Sequence, residues 1–159
     1  MATPGEPSLR GIRGWLILVA IGLCVQPLIL VKTLSDSSTA FKPDTWRVLT
    51  TPGSPAFHPL WAPLLIGEVV VNVALLVWSA VVLYQFFRAR RALPRLMIAY
   101  LAASLAVVVS DVAVASMIPT ARAQLGAKDV SGLVRAAIST AVWIPYFLRS
   151  RRVAATFVN

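Results

Sequence analysis

The sequence predicts an all-α integral membrane protein, a bundle of four transmembrane helices, on three observations. Apolar residues make up 58% of the 159 positions and charged residues only 13%, against roughly 45–50% and about 25% in a soluble domain. Four apolar runs approach the ~20 residues that cross a hydrocarbon core of ~30 Å. The 15 Lys and Arg fall in short clusters at the edges of these runs, where basic residues set membrane topology. A mean hydropathy of +0.77 excludes a disordered or collagen-like chain, since such chains are poor in the Leu, Val and Ile that dominate here.

The first span, over 12–33, is uncharged from Gly14 to Val31 and follows Arg10 and Arg13. That flank resembles the basic region of a signal peptide, but the run is long and no A-x-A cleavage pattern follows, so a retained helix is expected. Cys24 is preceded by Leu23 rather than a small residue, against a lipoprotein site, and as the only cysteine it forms no intramolecular disulfide. An outer loop, 34–59, contains Pro43, Pro52, Gly53 and Pro55. Within it Asp44–Leu49 reads as a short interfacial helix anchored by Trp46. The second span, 60–87, carries Glu68 as its only charge and ends in Arg88, Arg90 and Arg91. The third, 95–118, opens beside Pro94, which suits a first helical turn, and closes before Pro119. The fourth, 132–149, is the weakest: Ala136 to Leu148 gives only 13 uncharged residues, about 20 Å of helix, so Gly132–Arg135 must join it to cross. Residues 1–159 thus read as a single membrane domain.

Basic residues fix the expected orientation. The side bearing both chain ends holds Arg10, Arg13, Arg88, Arg90, Arg91, Arg95, Arg149, Arg151 and Arg152; the other holds Lys32, Lys42, Arg47, Arg122, Lys128 and Arg135. Both termini are therefore expected in the cytoplasm. Because the net charge of +9 is distributed in this way, with no aromatic-interleaved basic patch, nucleic acid is not an expected partner.

Glu68 and Asp111 are the sharpest features, because an intramembrane carboxylate is costly and usually faces the bundle interior. Counted along their helices from the flanking arginines, Glu68, Asn72, Asp111, Arg135 and Gln26 all fall in the outer half. Convergence at one level predicts a polar cluster opening outward, with Arg135 as counter-ion to one or both acids. The plainer reading is a structural ion pair that lets the short fourth helix insert and sets helix register. His58 at the entrance of the second span reads as polar surface with the capacity to sense external pH. One His and one Cys supply no metal site. Ser104, Ser110, Ser116 and Ser139 have no intramembrane histidine to activate them. Neither a catalytic site nor a cofactor is expected. Pro27 and Pro145 are expected to kink their helices.

The segments Gly11-Ile-Arg-Gly-Trp15-Leu, Phe57-His-Pro-Leu-Trp61, Phe86-Phe-Arg-Ala-Arg-Arg91 with Pro94, and Trp143-Ile-Pro-Tyr-Phe-Leu-Arg-Ser-Arg-Arg-Val-Ala-Ala-Thr-Phe157 occur in order. Together they resemble the YdgK-like family of small bacterial inner-membrane proteins, a domain of unknown function, with Arg13 standing where that family more often has a small residue. The resemblance implies four spans in a bacterial inner membrane and no particular activity. It draws attention to the tail, where Tyr146, Arg149, Ser150, Arg151, Arg152, Thr156 and Phe157 form a basic and aromatic block; with Arg88, Arg90 and Arg91, Arg149, Arg151 and Arg152 read as a cytoplasmic patch for anionic lipid headgroups or a partner protein, the plainer reading being an ordinary positive-inside anchor. The expected function is a non-enzymatic accessory module binding lipid or a membrane partner. The alternative is a small homodimeric transporter or ion pathway using Glu68 and Asp111.

Overall fold

The computed structural model describes residue 11 and residues 14–158, and all regular structure among them is helical. Arg10 and Arg13, which enter the basic count and border the first span, lie outside the described residues, as does the side chain of Lys128. In chain order the helices are α1 (Trp15–Ser37), α2 (Pro43–Thr50), α3 (Trp61–Phe87), α4 (Leu93–Met117), α5 (Pro119–Arg122), α6 (Ala127–Arg149) and α7 (Arg151–Thr156). A 3-10 turn over Ser38–Phe41 joins α1 to α2. Four of these helices, α1, α3, α4 and α6, are long and apolar enough to cross a membrane.

Local chemistry accounts for the boundaries. Gly14 starts α1 at φ 59°, a left-handed conformation that an L side chain rarely adopts. α1 runs four residues past the expected end, because Lys32 pairs with Asp36 at 2.7 Å one turn on and Thr33 donates to the Ile29 carbonyl. Pro43 and Pro94 occupy first-turn positions of α2 and α4, where no backbone donor is missed. The Asp129 carboxylate accepts the Gly126 N–H at 2.9 Å and secures the start of α6. This gives α6 23 residues, about 34 Å of helix, so the fourth span is not short: it begins five residues earlier than expected. Pro27 and Pro145 lie inside α1 and α6, which continue through them.

α3 ends in a Schellman motif: Arg90 N–H reaches the Gln85 carbonyl at 3.2 Å and Ala89 N–H the Phe86 carbonyl at 3.1 Å. Ala89 takes the left-handed position at φ 49°, where glycine is usual. The tight reversal that follows sends the chain straight into α4.

α3 is the spine of the bundle, packing on α1 along one side and α4 along the other, while α6 packs on α4. Its buried residues, Leu65, Asn72, Leu75, Ser79, Val82 and Phe86, recur at spacings of seven, three and four, as one face of a helix requires. Leu16, Val19, Leu23 and Leu30 of α1 and Leu93, Met97, Tyr100 and Leu101 of α4 complete the core. At one end of the bundle the beginning and end of the described chain meet. Phe157 packs on Phe86 at 5.6 Å between ring centres, Thr156 Oγ1 donates to the Gly11 carbonyl at 3.4 Å, and Arg91 Nε donates to the Val158 carbonyl. Trp15 and Trp143 touch edge to face beside them.

Ala89→Gly removes the left-handed penalty without disturbing the motif, and is expected to raise stability by about 1 kcal/mol. Thermal unfolding of the detergent-solubilised protein measures this; a loss of stability would contradict the assigned turn.

Candidate functional site

The five expected polar residues fall into two layers rather than one. Glu68 lies beside the C-terminal end of α1, where its Oε1 accepts a hydrogen bond from Ser37 Oγ at 2.9 Å. Gln26 is 11 residues earlier on α1, about 16 Å deeper. Asn72, only 9% exposed, turns back on its own helix and donates Nδ2 to the Glu68 carbonyl at 2.9 Å. That bond stays within α3, and among the described residues Asn72 makes no side-chain hydrogen bond to another helix.

The expected counter-ion role of Arg135 is not realised. Among the described residues the ion pair is Lys32–Asp36, and Arg135 is exposed. The reason lies in the packing order. Glu68 belongs to α3, which packs on α1 and α4, whereas Arg135 belongs to α6, which packs on α4. Arg135 instead shares a helical face with Ser139, one turn away. Asp111, exposed on α4, lies within electrostatic range of Glu68 and Asp129, both of its own sign. Glu68, Asp111 and Asp129 all belong to the end of the bundle opposite the α3–α4 turn.

Gln26 belongs to a different feature, a cavity of about 120 Å³ between α1, α4 and α6 whose polar lining is Gln26, Tyr100, Ser139 and the indole of Trp143. Tyr100 is 3% exposed. Its hydroxyl faces the Gln26 and Ser104 side chains, yet neither it nor the Ser104 hydroxyl closes a hydrogen bond among the described residues. Sequence reading passed over Tyr100. The available signal was its spacing, four residues before Ser104 on the same helical face. His58 serves its own turn: Nδ1 accepts the Leu60 N–H at 3.3 Å.

The six arginines of the expected patch share the end of the bundle where the chain ends meet. Arg88, Arg90 and Arg91 sit on the Schellman turn between α3 and α4, with Arg88 5.9 Å above the Tyr84 ring. Arg149 closes α6, while Arg151 and Arg152 open α7, whose first turn is capped by Ser150 Oγ. Phe86–Phe157 packing and the Arg91–Val158 bond tie the two groups into one surface. Below Arg90 and Arg91, an open groove of about 860 Å³ runs along the outer face of α3.

A family model described as a protein of unknown function, DUF2569, matches residues 9–158. No curated protein and no solved structure matches the chain.

Two substitutions check the polar assignments by thermal unfolding. Tyr100→Phe deletes an unpartnered buried hydroxyl and is expected to leave stability unchanged or raise it by about 1 kcal/mol; a clear loss would reveal a hidden partner. Glu68→Ala, which strands Ser37, is expected to cost about 1 kcal/mol, whereas Glu68→Gln keeps an acceptor and stays within about 0.5 kcal/mol of wild type.

Proposed function

The chain belongs to the DUF2569 family of proteins of unknown function, and from that premise we propose a non-enzymatic, multi-pass accessory module that works through the arginine-bearing end of its bundle. In this reading both termini lie in the cytoplasm of a bacterium, the bundle crosses the inner membrane, and the chain is YdgK-like, as its sequence motifs resemble that group. The basic end engages anionic headgroups or a membrane protein partner.

One observation carries the reading: six arginines are held on short, mutually braced segments instead of on a free tail. α7 is fixed by the buried side chains of Val153, Thr156 and Phe157, so Arg151 and Arg152 keep a set relation to Arg88 and Arg90. An ordinary topology signal needs only charge near the membrane; a braced basic surface also presents a shape. Anionic lipid attracts each such residue by about 1 kcal/mol.

A second reading is a small homodimeric transporter or ion pathway that uses Glu68 and Asp111, carboxylates placed within candidate spans. Proton-coupled flux into liposomes that is lost in Glu68→Gln and Asp111→Asn, with the bundle intact, would select it.

The module reading is tested by gentle extraction from native membranes and native mass spectrometry. Wild type is expected to carry a protein partner or several lipids, and Arg151→Gln/Arg152→Gln to shed the partner or those lipids held at α7, while Glu68→Gln retains them. Bare protein in every case would overturn it. Reporter fusions after Ser54 and at the C-terminus test orientation, with cytoplasmic signal expected only at the C-terminus.

A further inference from the structure

We infer that the groove on the outer face of α3 is a binding site for one anionic glycerophospholipid, with its phosphate at Arg90 and Arg91 and an acyl chain along Val77 and Val81. The site rests on the reading of the basic end as a headgroup-level surface, but it does not use the α7 arginines.

The groove has the two-part chemistry of such a lipid. Its apolar wall is a stripe on α3: Val77, Val81 and Tyr84, spaced four and three apart, are 61%, 44% and 60% exposed. From Val77 to Gln85 the groove follows about 12 Å of helix, close to one leaflet of a ~30 Å hydrocarbon core. At its basic end it is bounded by Tyr84, Gln85, Arg90 and Arg91. A tyrosine at that level suits the interface, with its ring among chains and its hydroxyl among headgroups.

The arginines are positioned. Arg91 spends Nε on the Val158 carbonyl, which anchors the side chain and leaves its two terminal nitrogens to donate. Arg88 lies over the Tyr84 ring, adding a third positive charge at the edge of the groove. The turn that presents all three holds Ala89 left-handed, a strained conformation of the kind that marks functional segments.

Competing occupants fit less well. A free phosphate or an acidic peptide would satisfy the arginines and leave the apolar stripe unused. A second copy, related by a two-fold axis along the membrane normal, would bring Arg90 and Arg91 to the depth of their own symmetry mates, setting like charges together. Only an amphiphile with a negative head answers both halves.

The test uses purified full-length protein in nanodiscs of equal phosphatidylglycerol and phosphatidylcholine, released into native mass spectrometry. Wild type is expected to retain one phosphatidylglycerol in preference to phosphatidylcholine. Arg90→Gln, an exposed change that leaves the fold alone, is expected to lower that occupancy about fivefold. Val81→Trp fills the groove while keeping every arginine, and is expected to abolish retention with an unchanged helical circular dichroism spectrum. Arg151→Gln/Arg152→Gln is expected to keep the lipid, so a failed groove and a failed accessory reading give different results. Equal retention of the two lipids, wild-type retention in both groove variants, or a protein dimer that Val81→Trp dissolves would each overturn the site.

Discussion

The buried stripe of α3 is the constraint on which the other contacts depend. Leu75, Val82 and Phe86 belong to the core that α3 shares with α1 on one side and α4 on the other. The polar members of that stripe are neutralised locally: Asn72 bonds to Glu68 O and Ser79 to Leu76 O, both within their own helix. In a medium without water, an unpaired polar group on this face would cost several kcal/mol. Self-satisfaction lets α3 pack as an apolar rod despite its composition. At its lower end Phe86 extends the stripe to Phe157, so the spine of the bundle also braces the C-terminal helix.

The same logic separates the two ends. At one end Ser37 clasps Glu68, and the chain folds into short segments steadied by stacking of Phe41 on Trp46 and by the Ser54–Val48 bond. At the other end an aromatic cluster of Trp15, Trp143, Tyr146 and Phe147 surrounds the meeting point of the chain ends. Carboxylates gather at the first end and arginines at the second. α6 runs between the two ends, packs on α4 and leaves Val130, Val134, Ile138 and Val142 exposed, as a lipid-facing helix does.

Much of the fold is legible in the chain. The spans over α3 and α4 lie within two residues of their expected edges, because Pro94, Pro119 and the arginine cluster after Phe87 are local punctuation. α1 and α6 ran longer than composition indicated. Their extensions are polar turns, stabilised by Lys32–Asp36 and by Asp129 on Gly126, and such turns do not register as apolar length. The candidate site was legible only as a list of residues. Counting from flanking arginines treats those residues as level markers, and so set Gln26 beside Glu68, when the bond from Ser37 puts Glu68 at the C-terminal end of α1, about three turns beyond mid-helix Gln26.

Hydrophobic length and the placement of basic residues therefore determined, by sequence alone, how many helices are fit to cross a membrane and which loops carry the charge. Both are local properties, summed along the chain. Tertiary structure decided which polar groups meet: that Arg135 finds neither acid, that Tyr100 faces Gln26 across a cavity, and that Arg91 reaches the carbonyl of Val158. Those pairings depend on which helix packs beside which and on the rotation of each about its axis. One residue of helical phase, about 100°, is enough to turn a side chain from a neighbour to lipid.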